Sequence, residues 1–309
     1  MKEIYLVTGI AGFIGSHIAE ELLKNRNNLV VGIDNLSSGL IKNINAIDSS
    51  NLFFYEGDIT NDETLNFLFN EHKIKYIFHE AAISSVQKSI ENPLLTNNVN
   101  LRATLKLLDI ARLNQVKRVV FASSAAVYGD EPTLPKSEKS ITQPISPYGY
   151  EKIMSEYYMN LYFRIFGIET ICLRYFNVYG PRQESSSEYS GVISIFEDKF
   201  SKSICPVIYG DGENFRDFIH VNDVVSVNLI AMRQQFNPKR MVVCCGTGNK
   251  TSINEIFNVF CKKYNKDWTP NYAEARKGDI IGSISDNSKM MDLIENRELI
   301  KFENGVNNL

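Results

Sequence analysis

The sequence lacks three features that mark whole classes of protein. Its 33 lysines and arginines against 36 aspartates and glutamates give a net charge of only -3. This mild acidity argues against nucleic acid or an anionic membrane as the main partner, because both bind clustered positive charge. No apolar run approaches the roughly 20 residues needed to cross a bilayer. The first residues, MKEIYLV, enter a strand-like run directly and lack the layout of a signal peptide.

Cysteine is present but forms no recognisable motif. Cys172, Cys205, Cys244, Cys245 and Cys261 contain no CxxC pair and no spacing typical of a metal site. An odd number of scattered cysteines predicts reduced, buried thiols and a cytoplasmic protein. The adjacent Cys244 and Cys245 leave a redox pair open, although packing in an apolar strand is the interpretation that we favour.

A glycine-rich turn near the N-terminus is the first clear motif. Residues 3–8 form a short apolar run, Gly9, Gly12 and Gly15 follow, and a helical pattern comes next. In this context the glycines allow a tight turn and a close approach of the backbone to a pyrophosphate. A second apolar run ends in Asp34, where a carboxylate accepts hydrogen bonds from a ribose diol. The pattern therefore predicts a dinucleotide site that prefers NAD to NADP.

Strand-like and helical segments alternate as far as residue 175. Further strands are predicted at 52–55, 76–79 and 168–174, and helices at 61–72, at 93–114 and after Pro147. This alternation predicts an α/β fold with a Rossmann-like doubly wound parallel sheet. We expect an NAD-binding domain at residues 1–175. A smaller C-terminal α/β substrate-binding lobe, interleaved with the first domain, is expected at residues 176–309, where the elements become shorter.

Two strand ends carry further candidates for a ligand site. Asp58 follows the strand at 52–55 and is a candidate cofactor contact, although an N-cap role for the next helix is nearly as good an interpretation. Ala81 and Ala82 are small enough to leave room for a ligand. We interpret the neighbouring His79 and Glu80 as structural.

The stretch from Lys117 to Lys152 carries the candidate chemistry. An apolar strand-like run ends in Ser123 and Ser124, and a predicted helix begins after Ser146 with proline at its first position. Tyr148 and Lys152 then lie one turn apart on the same helix face. A cation beside a phenol is expected to lower the tyrosine pKa from about 10. Taken alone, a tyrosine and a lysine at this spacing are more often a coincidence.

Two predicted helices, at 93–114 and after Pro147, are apolar around most of their circumference. Such helices must bury one face on the sheet and a second face elsewhere. We therefore expect a homodimer joined by a four-helix bundle.

Together these residues resemble the extended short-chain dehydrogenase/reductase family, and within it the NAD-dependent UDP-hexose 4-epimerases. The resemblance rests on the glycine pattern, Asp34, Ser-Ser before AAVYG, and Tyr148 four residues before Lys152. It continues through LRYFNVYGPRQ at 173–183, GDGENFRDFIHVNDV at 210–224 and ARKGD at 275–279.

The resemblance implies a role for each matching residue. The implied catalytic residues are Ser124 and Tyr148, which contact the sugar 4-hydroxyl, and Lys152, which holds the nicotinamide ribose. The implied NAD contacts are Gly9, Gly12, Phe13, Ile14, Gly15, Asp34, Asn35, Ser37, Gly39, Asp58, Ile59, Ala81, Ala82, Asn98, Ser123, Tyr148, Lys152 and Tyr175. The implied contacts of the UDP-sugar are Ser84, Ser124, Asn177, Tyr189, Val192, Tyr209, Arg216, Arg276, Asp279 and Ser283.

The resemblance also separates related reactions. The similar 4,6-dehydratases carry Thr-Asp-Glu where this chain has Ser-Ser-Ala, and the similar decarboxylases carry a glutamate there. Reversible oxidation at C4 is the chemistry that remains. Ser283 matches a small gate residue in epimerases of N-acetylated sugars, which favours UDP-GlcNAc and UDP-GalNAc, with UDP-Glc and UDP-Gal as further substrates.

Other functions stay open from the sequence. A UDP-uronate epimerase and a C4 oxidoreductase of GDP-sugars or heptoses are the nearest alternatives. A non-catalytic NAD-binding sensor or scaffold is the alternative of another class. In this family a further helix usually follows the motif that Phe302 begins, whereas here only three residues follow Val306.

Overall fold

The structure is a computed structural model that describes residues 2–184, 191–235, 240–275 and 282–309. The strands are β1 (Glu3–Thr8), β2 (Asn28–Asp34), β3 (Leu52–Glu56), β4 (Tyr76–His79), β5 (Arg118–Ser124), β6 (Glu169–Tyr175), β7 (Asn177–Tyr179), β8 (Val207–Tyr209), β9 (Phe215–Arg216), β10 (Phe218–His220), β11 (Arg240–Cys245), β12 (Thr251–Ser252) and β13 (Asn271–Ala273). The α-helices are α1 (Phe13–Leu23), α2 (Ile41–Asn45), α3 (Asp62–Glu71), α4 (Val86–Glu91), α5 (Pro93–Asn97), α6 (Ala103–Leu113), α7 (Pro147–Phe166), α8 (Val192–Ser201), α9 (Val221–Arg233), α10 (Ile253–Lys263), α11 (Ser288–Leu293) and α12 (Phe302–Asn307).

Seven strands form one sheet in the order β11-β6-β5-β4-β1-β2-β3. β1 pairs in parallel with both β2 and β4, and the β2–β3 and β4–β5 pairs are parallel as well. The chain order reverses beside β1, which makes the carboxyl ends of β1 and β4 a switch point where ligands bind in such folds. The predicted α/β doubly wound sheet is confirmed.

Burial explains why the central strands are apolar without alternation. Leu6, Val7, Val31, Ile33 and Val119 are all completely buried. Parallel sheets covered by helices on both faces place successive side chains in two separate cores, so both faces must be apolar. The strands predicted at 3–8, 52–55 and 76–79 correspond to β1, β3 and β4.

The long helix predicted at 93–114 is interrupted. Between α5 and α6, residues Asn98–Arg102 form a π-helical turn, which holds one more residue than an α-helical turn. The Thr104 hydroxyl donates to the carbonyl oxygen of Asn100 at 2.7 Å and so occupies an acceptor of the widened turn. The apolar period of the sequence does not show this interruption.

The chain divides into two compact units. The first unit comprises residues 1–131, 141–174 and 225–243, and the second comprises residues 132–140, 175–224 and 244–309. The core of the second unit is aromatic and includes Phe196, Phe200, Phe257 and Phe260. None of the helices in the described ranges is long and apolar enough to span a membrane.

Candidate functional site

The turn after β1 is shaped for close approach of a ligand. Gly9 has a φ of +69°, and a Cβ there would lie 2.8 Å from the backbone nitrogen of Ala81. A Cβ on Gly15 would overlap the carbonyl oxygen of Gly9. Gly12 is the N-cap of α1, so the first N–H groups of that helix face the turn. Glycine is therefore required for this tight turn, and the turn leads into a helix N-terminus, which fits a pyrophosphate.

Asp34 stands at the carboxyl end of β2 beside this turn. Its carboxylate accepts hydrogen bonds from the backbone N–H of Ala11 at 2.9 Å and of Leu36 at 2.8 Å. Burial raises the pKa of Asp34, and these backbone hydrogen bonds oppose that rise. A carboxylate has room for about four hydrogen bonds, and the backbone N–H groups of Ala11, Gly12 and Leu36 take three of them, so Asp34 can still accept from one ribose hydroxyl.

Asn35 and Asp58 lie next to each other at the ends of β2 and β3. The Asn35 amide donates to Asp58 at 2.9 Å, and Asp58 also accepts from the backbone N–H of Thr60 at 2.7 Å. The alternative N-cap role of Asp58 is not realised, because Asn61 caps α3 through the N–H groups of Glu63 and Thr64. Together with the glycine turn and Asp34, this arrangement fits the NAD site predicted from the sequence.

Ser124, Tyr148 and Lys152 lie in the first unit, on β5 and α7. Ser146 caps α7 by accepting from the N–H of Gly149 at 3.2 Å, as predicted. The Lys152 ammonium donates to the carbonyl oxygen of Ala122 at 2.7 Å and lies 5.7 Å from the Tyr148 ring centroid. Tyr148 and Lys152 therefore share one helix face, directed at the end of β5.

The expected lowering of the Tyr148 pKa is wrong for the chain by itself. Burial raises the pKa of Tyr148 to about 12, and the carboxylates of Glu151 and Glu80 add to the rise, while a hydrogen bond with Ser124 lowers it. Burial also lowers the pKa of Lys152 to about 8, because the ammonium is nearly enclosed. Loss of water around both groups outweighs the charge–phenol attraction that the sequence spacing suggested.

A buried ionic network lies beneath these groups. Arg174 on β6 donates to both oxygens of Glu156, at 2.9 and 2.7 Å, and its third nitrogen donates to the Tyr128 hydroxyl at 2.9 Å. The Ser123 hydroxyl donates to Glu156 at 2.5 Å. Ser123, predicted as a cofactor contact, thus gives its proton to the network, and Glu156 lies one turn beyond Lys152 on α7.

A second buried carboxylate ties α7 to the loop after β4. Glu151 accepts from the Thr96 hydroxyl and from the Asn100 amide, both at 2.7 Å. Asn100 also exchanges two hydrogen bonds with the backbone of Ile83. The π-helical turn therefore places Asn100 where it connects α7 to the loop that contains Ala81 and Ala82.

His79 is structural, as the sequence suggested. Its Nε2 lies 2.8 Å from the Thr104 hydroxyl, which itself donates to Asn100, so Nε2 carries the proton. Its Nδ1 lies 2.7 Å from the Thr8 hydroxyl, which already accepts from the N–H of Ala81, so Thr8 donates. A neutral imidazole is the form that satisfies both neighbours.

The enclosed His79 predicts a loss of stability in acid. Burial lowers the pKa of His79 to about 3. Below about pH 6.5 His79 is protonated in the unfolded chain but stays neutral in the folded chain. The free energy of unfolding therefore falls as the pH falls. We expect the wild type to lose on the order of 2 kcal/mol more than His79→Gln between pH 6.5 and 4.5, measured by urea unfolding. An identical pH dependence in the two proteins would contradict this assignment.

The second unit contains most of the predicted substrate contacts. Asn177 is at the start of β7, Arg216 is on β9, Val192 opens α8 and Tyr209 ends β8 with 44% of its surface exposed. The N–H of Ser283 donates to the carbonyl oxygen of Phe215 at 3.3 Å, next to Arg216. Asn177 donates its backbone N–H to the carbonyl oxygen of Asp217 at 3.0 Å, so Asn177, Arg216 and Ser283 all lie along the segment 215–217.

The remaining predicted residues have simpler positions. Tyr189, Arg276 and Asp279 lie outside the described residues. Ser84 is exposed in the loop before α4, and Asn98 begins the π-helical turn. Gly39 is buried against the carboxylate of Asp34. Phe13 and Ile14 begin α1, and Tyr175 ends β6. Ser37 lies in the loop after β2, and Ile59 lies in the loop between β3 and α3.

Sequence reasoning overlooked Glu156, Arg174, Glu151 and Asn100. One signal was available: Glu156 is a charged residue one turn after Lys152 on a helix otherwise rich in apolar side chains. A second was Arg174, a charge at the end of an apolar strand, where a buried partner is required. Their pairing becomes visible only in the fold.

Comparisons with known proteins agree with this geometry. The family model described as "NAD dependent epimerase/dehydratase family" matches residues 5–245. The chain is 41% identical over 276 residues to a putative UDP-glucose 4-epimerase of Methanocaldococcus jannaschii, covering 89% of this chain and 87% of that protein.

Two solved structures are similar over nearly the whole chain. The UDP-glucose 4-epimerase of Thermotoga maritima with UDP-glucose has a TM-score of 0.91 and 36% identity, with 98% and 96% of the two chains covered. The UDP-N-acetylglucosamine 4-epimerase of Methanobrevibacter ruminantium, in complex with UDP-N-acetylmuramic acid, has a TM-score of 0.92 and 36% identity, with 100% and 97% covered.

Proposed function

Because the chain belongs to the NAD-dependent epimerase/dehydratase family, we propose that it is a UDP-sugar 4-epimerase acting on UDP-GlcNAc and UDP-GalNAc. The observation that carries the proposal is the assembly of Ser124, Tyr148 and Lys152 at the end of β5. Similarity to UDP-glucose and UDP-N-acetylglucosamine 4-epimerases supports the reaction class and leaves more than one sugar to test.

Tyr148 is the proton-transfer group of the proposed mechanism. Its phenolate accepts the 4-hydroxyl proton when C4 is oxidised, and the phenol returns the proton when C4 is reduced. Bound NAD⁺ supplies the hydride acceptor and a positive charge that favours the phenolate. Ser124 bonds the phenol oxygen and orients the sugar hydroxyl, while Lys152 anchors the cofactor ribose and keeps a cation beside the phenol.

The Tyr148 pKa makes the cofactor charge necessary. A phenol with a pKa of about 12 is almost fully protonated at neutral pH and is a weak base in that form. Lys152, with a pKa of about 8, still carries its charge at neutral pH, but burial of Tyr148 outweighs the effect of that charge. We propose that the base becomes effective only in the cofactor-loaded protein.

The choice of sugar rests on Ser283. A serine leaves space that a bulky aromatic would fill, and this space suits a 2-acetamido group. The backbone N–H of Ser283 donates to the carbonyl oxygen of Phe215. The ammonium nitrogen of Lys250 lies 4.7 Å from the centroid of the Phe215 ring. UDP-Glc and UDP-Gal are smaller and would enter the same space, so we expect them to react as well.

A panel of nucleotide sugars tests the function. Purified protein with NAD is incubated with UDP-GlcNAc, UDP-Glc, UDP-glucuronate and a GDP-hexose, and the anomeric protons are followed by NMR. We expect interconversion of the 4-epimers of UDP-GlcNAc, and more slowly of UDP-Glc. Reaction of the uronate or the GDP-sugar alone would overturn the sugar assignment. Bound NAD without turnover of any sugar would favour a non-catalytic sensor or scaffold.

The outer face of α7 supports the proposed homodimer. Tyr150, Met154, Tyr157, Leu161 and Ile165 recur every three or four residues and are 40–61% exposed. Leu94 and Leu95 on α5, a helix packed against α7, are 86% and 52% exposed. Exposed apolar side chains concentrated on neighbouring helices in this way are typical of an interaction site. We propose that α7 and the helical stretch from Pro93 to Leu113 of two copies form a four-helix bundle.

A charge in the middle of this patch should separate the copies. We expect Tyr157→Glu to sediment as a monomer at micromolar concentration, because the carboxylate would lose its water at the interface. Phe67→Glu on α3, also an exposed aromatic at 50%, is the matched control and should remain dimeric. A monomeric wild type, or a dimeric Tyr157→Glu protein, in analytical ultracentrifugation would refute the proposed bundle.

A further inference from the structure

A fully buried carboxylate, Asp217, lies between β9 and β10 in the second unit. Its Oδ1 accepts from the backbone N–H and the hydroxyl of Thr247, at 2.7 and 2.8 Å. Its Oδ2 accepts from the N–H of Gly248 at 3.0 Å and from the N–H and hydroxyl of Ser285, at 3.0 and 2.6 Å. All five donors are uncharged, so the carboxylate has no ion-pair partner among them. It joins its own segment to the loop at 247–248 and to Ser285.

The segments that Asp217 joins carry three of the proposed substrate contacts. Asn177 donates its backbone N–H and its side-chain amide to the Asp217 carbonyl oxygen, at 3.0 and 3.2 Å. Arg216 directly precedes Asp217, and its backbone pairs with Thr251 beyond the loop at 247–248. Ser283 lies two residues before Ser285.

Close packing leaves these segments little freedom. A Cβ on Gly246 would lie 2.5 Å from both the Asp217 carboxylate and the Ser285 hydroxyl. A Cβ on Gly282 would overlap the ring of Phe215. The segment that contains Asp217 is therefore enclosed from two sides, by backbone positions where only glycine fits.

We infer that Asp217 is a positioning residue of the substrate site: its carboxylate sets the segments of Arg216 and Ser283 relative to each other, and its carbonyl oxygen holds Asn177 beside them. The inference rests on the proposed function, since those three residues are proposed contacts of a UDP-sugar. Asp217 itself touches protein groups, and it acts through the residues that it holds.

The hydrogen-bond pattern explains why a carboxylate is required. Each of its oxygens accepts at least one backbone N–H, from Thr247 on one side and from Gly248 and Ser285 on the other. An asparagine carries an NH₂ group in place of one oxygen, and in either orientation that group faces a backbone N–H. A buried donor without an acceptor is costly, so the segments must separate.

The test measures UDP and NAD binding separately by calorimetry. We expect Asp217→Asn to weaken UDP binding about ten-fold or more and to leave NAD affinity within about two-fold, because the glycine turn belongs to the first unit. Asp223→Asn is the matched control: Asp223 is also a buried acid of the second unit, and it accepts from the N–H of Ile300 at 3.0 Å. That variant should bind UDP within about two-fold of wild type.

Graded variants cover the case in which Asp217→Asn does not fold. Ser285→Ala and Thr247→Val each delete one hydroxyl hydrogen bond to Asp217 and keep the backbone bonds. We expect each to weaken UDP binding by about three- to ten-fold with NAD binding unchanged. Wild-type UDP affinity in both would overturn the inference, and so would an equal loss in Asp223→Asn. A wild-type protein that binds NAD but not UDP would instead overturn the proposed function.

Discussion

Tyr148→Phe is expected to lower kcat by roughly 10²–10⁴-fold, the range that a positioned general acid–base contributes. The ring stays in its place on α7, so the phenyl group fills the same volume. The substitution removes the phenol oxygen, which is hydrogen-bonded to Ser124 and is the proposed base. NAD affinity should change little, because the glycine turn, Asp34 and Lys152 are untouched.

The neighbouring Tyr150 provides the control for this experiment. It lies two residues away on α7 but is 56% exposed. We expect Tyr150→Phe to keep kcat within about two-fold of wild type, since its hydroxyl contributes no positioned acid or base. Near-normal turnover in Tyr148→Phe, measured by NMR of the sugar anomeric proton, would refute Tyr148 as the base.

Glu156→Gln is expected to cost about 3–5 kcal/mol of stability, as removal of one partner of a buried ion pair does. Arg174 and Glu156 are each about 5% exposed, and the Arg174 guanidinium donates to both carboxylate oxygens. A glutamine would place its NH₂ group against one of these donors in either orientation. Urea unfolding with a linear extrapolation measures the change.

Two further variants sharpen this prediction. Glu21→Gln removes an ion pair with Lys24 whose side chains are 43% and 67% exposed, and should cost less than about 1 kcal/mol. Arg174→Met combined with Glu156→Gln should recover part of the loss, because no unpaired buried cation remains. Equal stability losses in Glu156→Gln and Glu21→Gln would show that burial of the pair carries no special cost.

The predictable part of the site is the part that depends on local spacing. Gly9, Gly12, Gly15 and Asp34 follow β1 and β2 in a fixed order, and Tyr148 and Lys152 are one helical turn apart. A turn, a strand end and a helix face are all set by residues within a few positions. For the same reason the order of strands and helices followed from alternation of apolar runs.

Long-range pairing and burial could not be predicted in this way. Thr247 and Ser285 are 30 and 68 residues from Asp217, so no local pattern indicates that all three meet. The direction of the Tyr148 pKa was missed because it depends on how much water the fold removes, which the Tyr–Lys spacing does not encode.

Helix α7 carries the proposed catalytic residues and the proposed dimer surface on opposite faces. Tyr148, Lys152 and Glu156 lie on its buried face, whereas Tyr157 and Leu161 lie on the exposed face. In the proposed dimer a second copy would restrain α7, which orients the proposed base Tyr148. Activity would then depend on the fraction of dimer, and therefore on protein concentration. Specific activity would then fall when the protein is diluted below its dimer dissociation constant, and adding inactive Tyr148→Phe protein would restore the activity of the diluted wild-type chains.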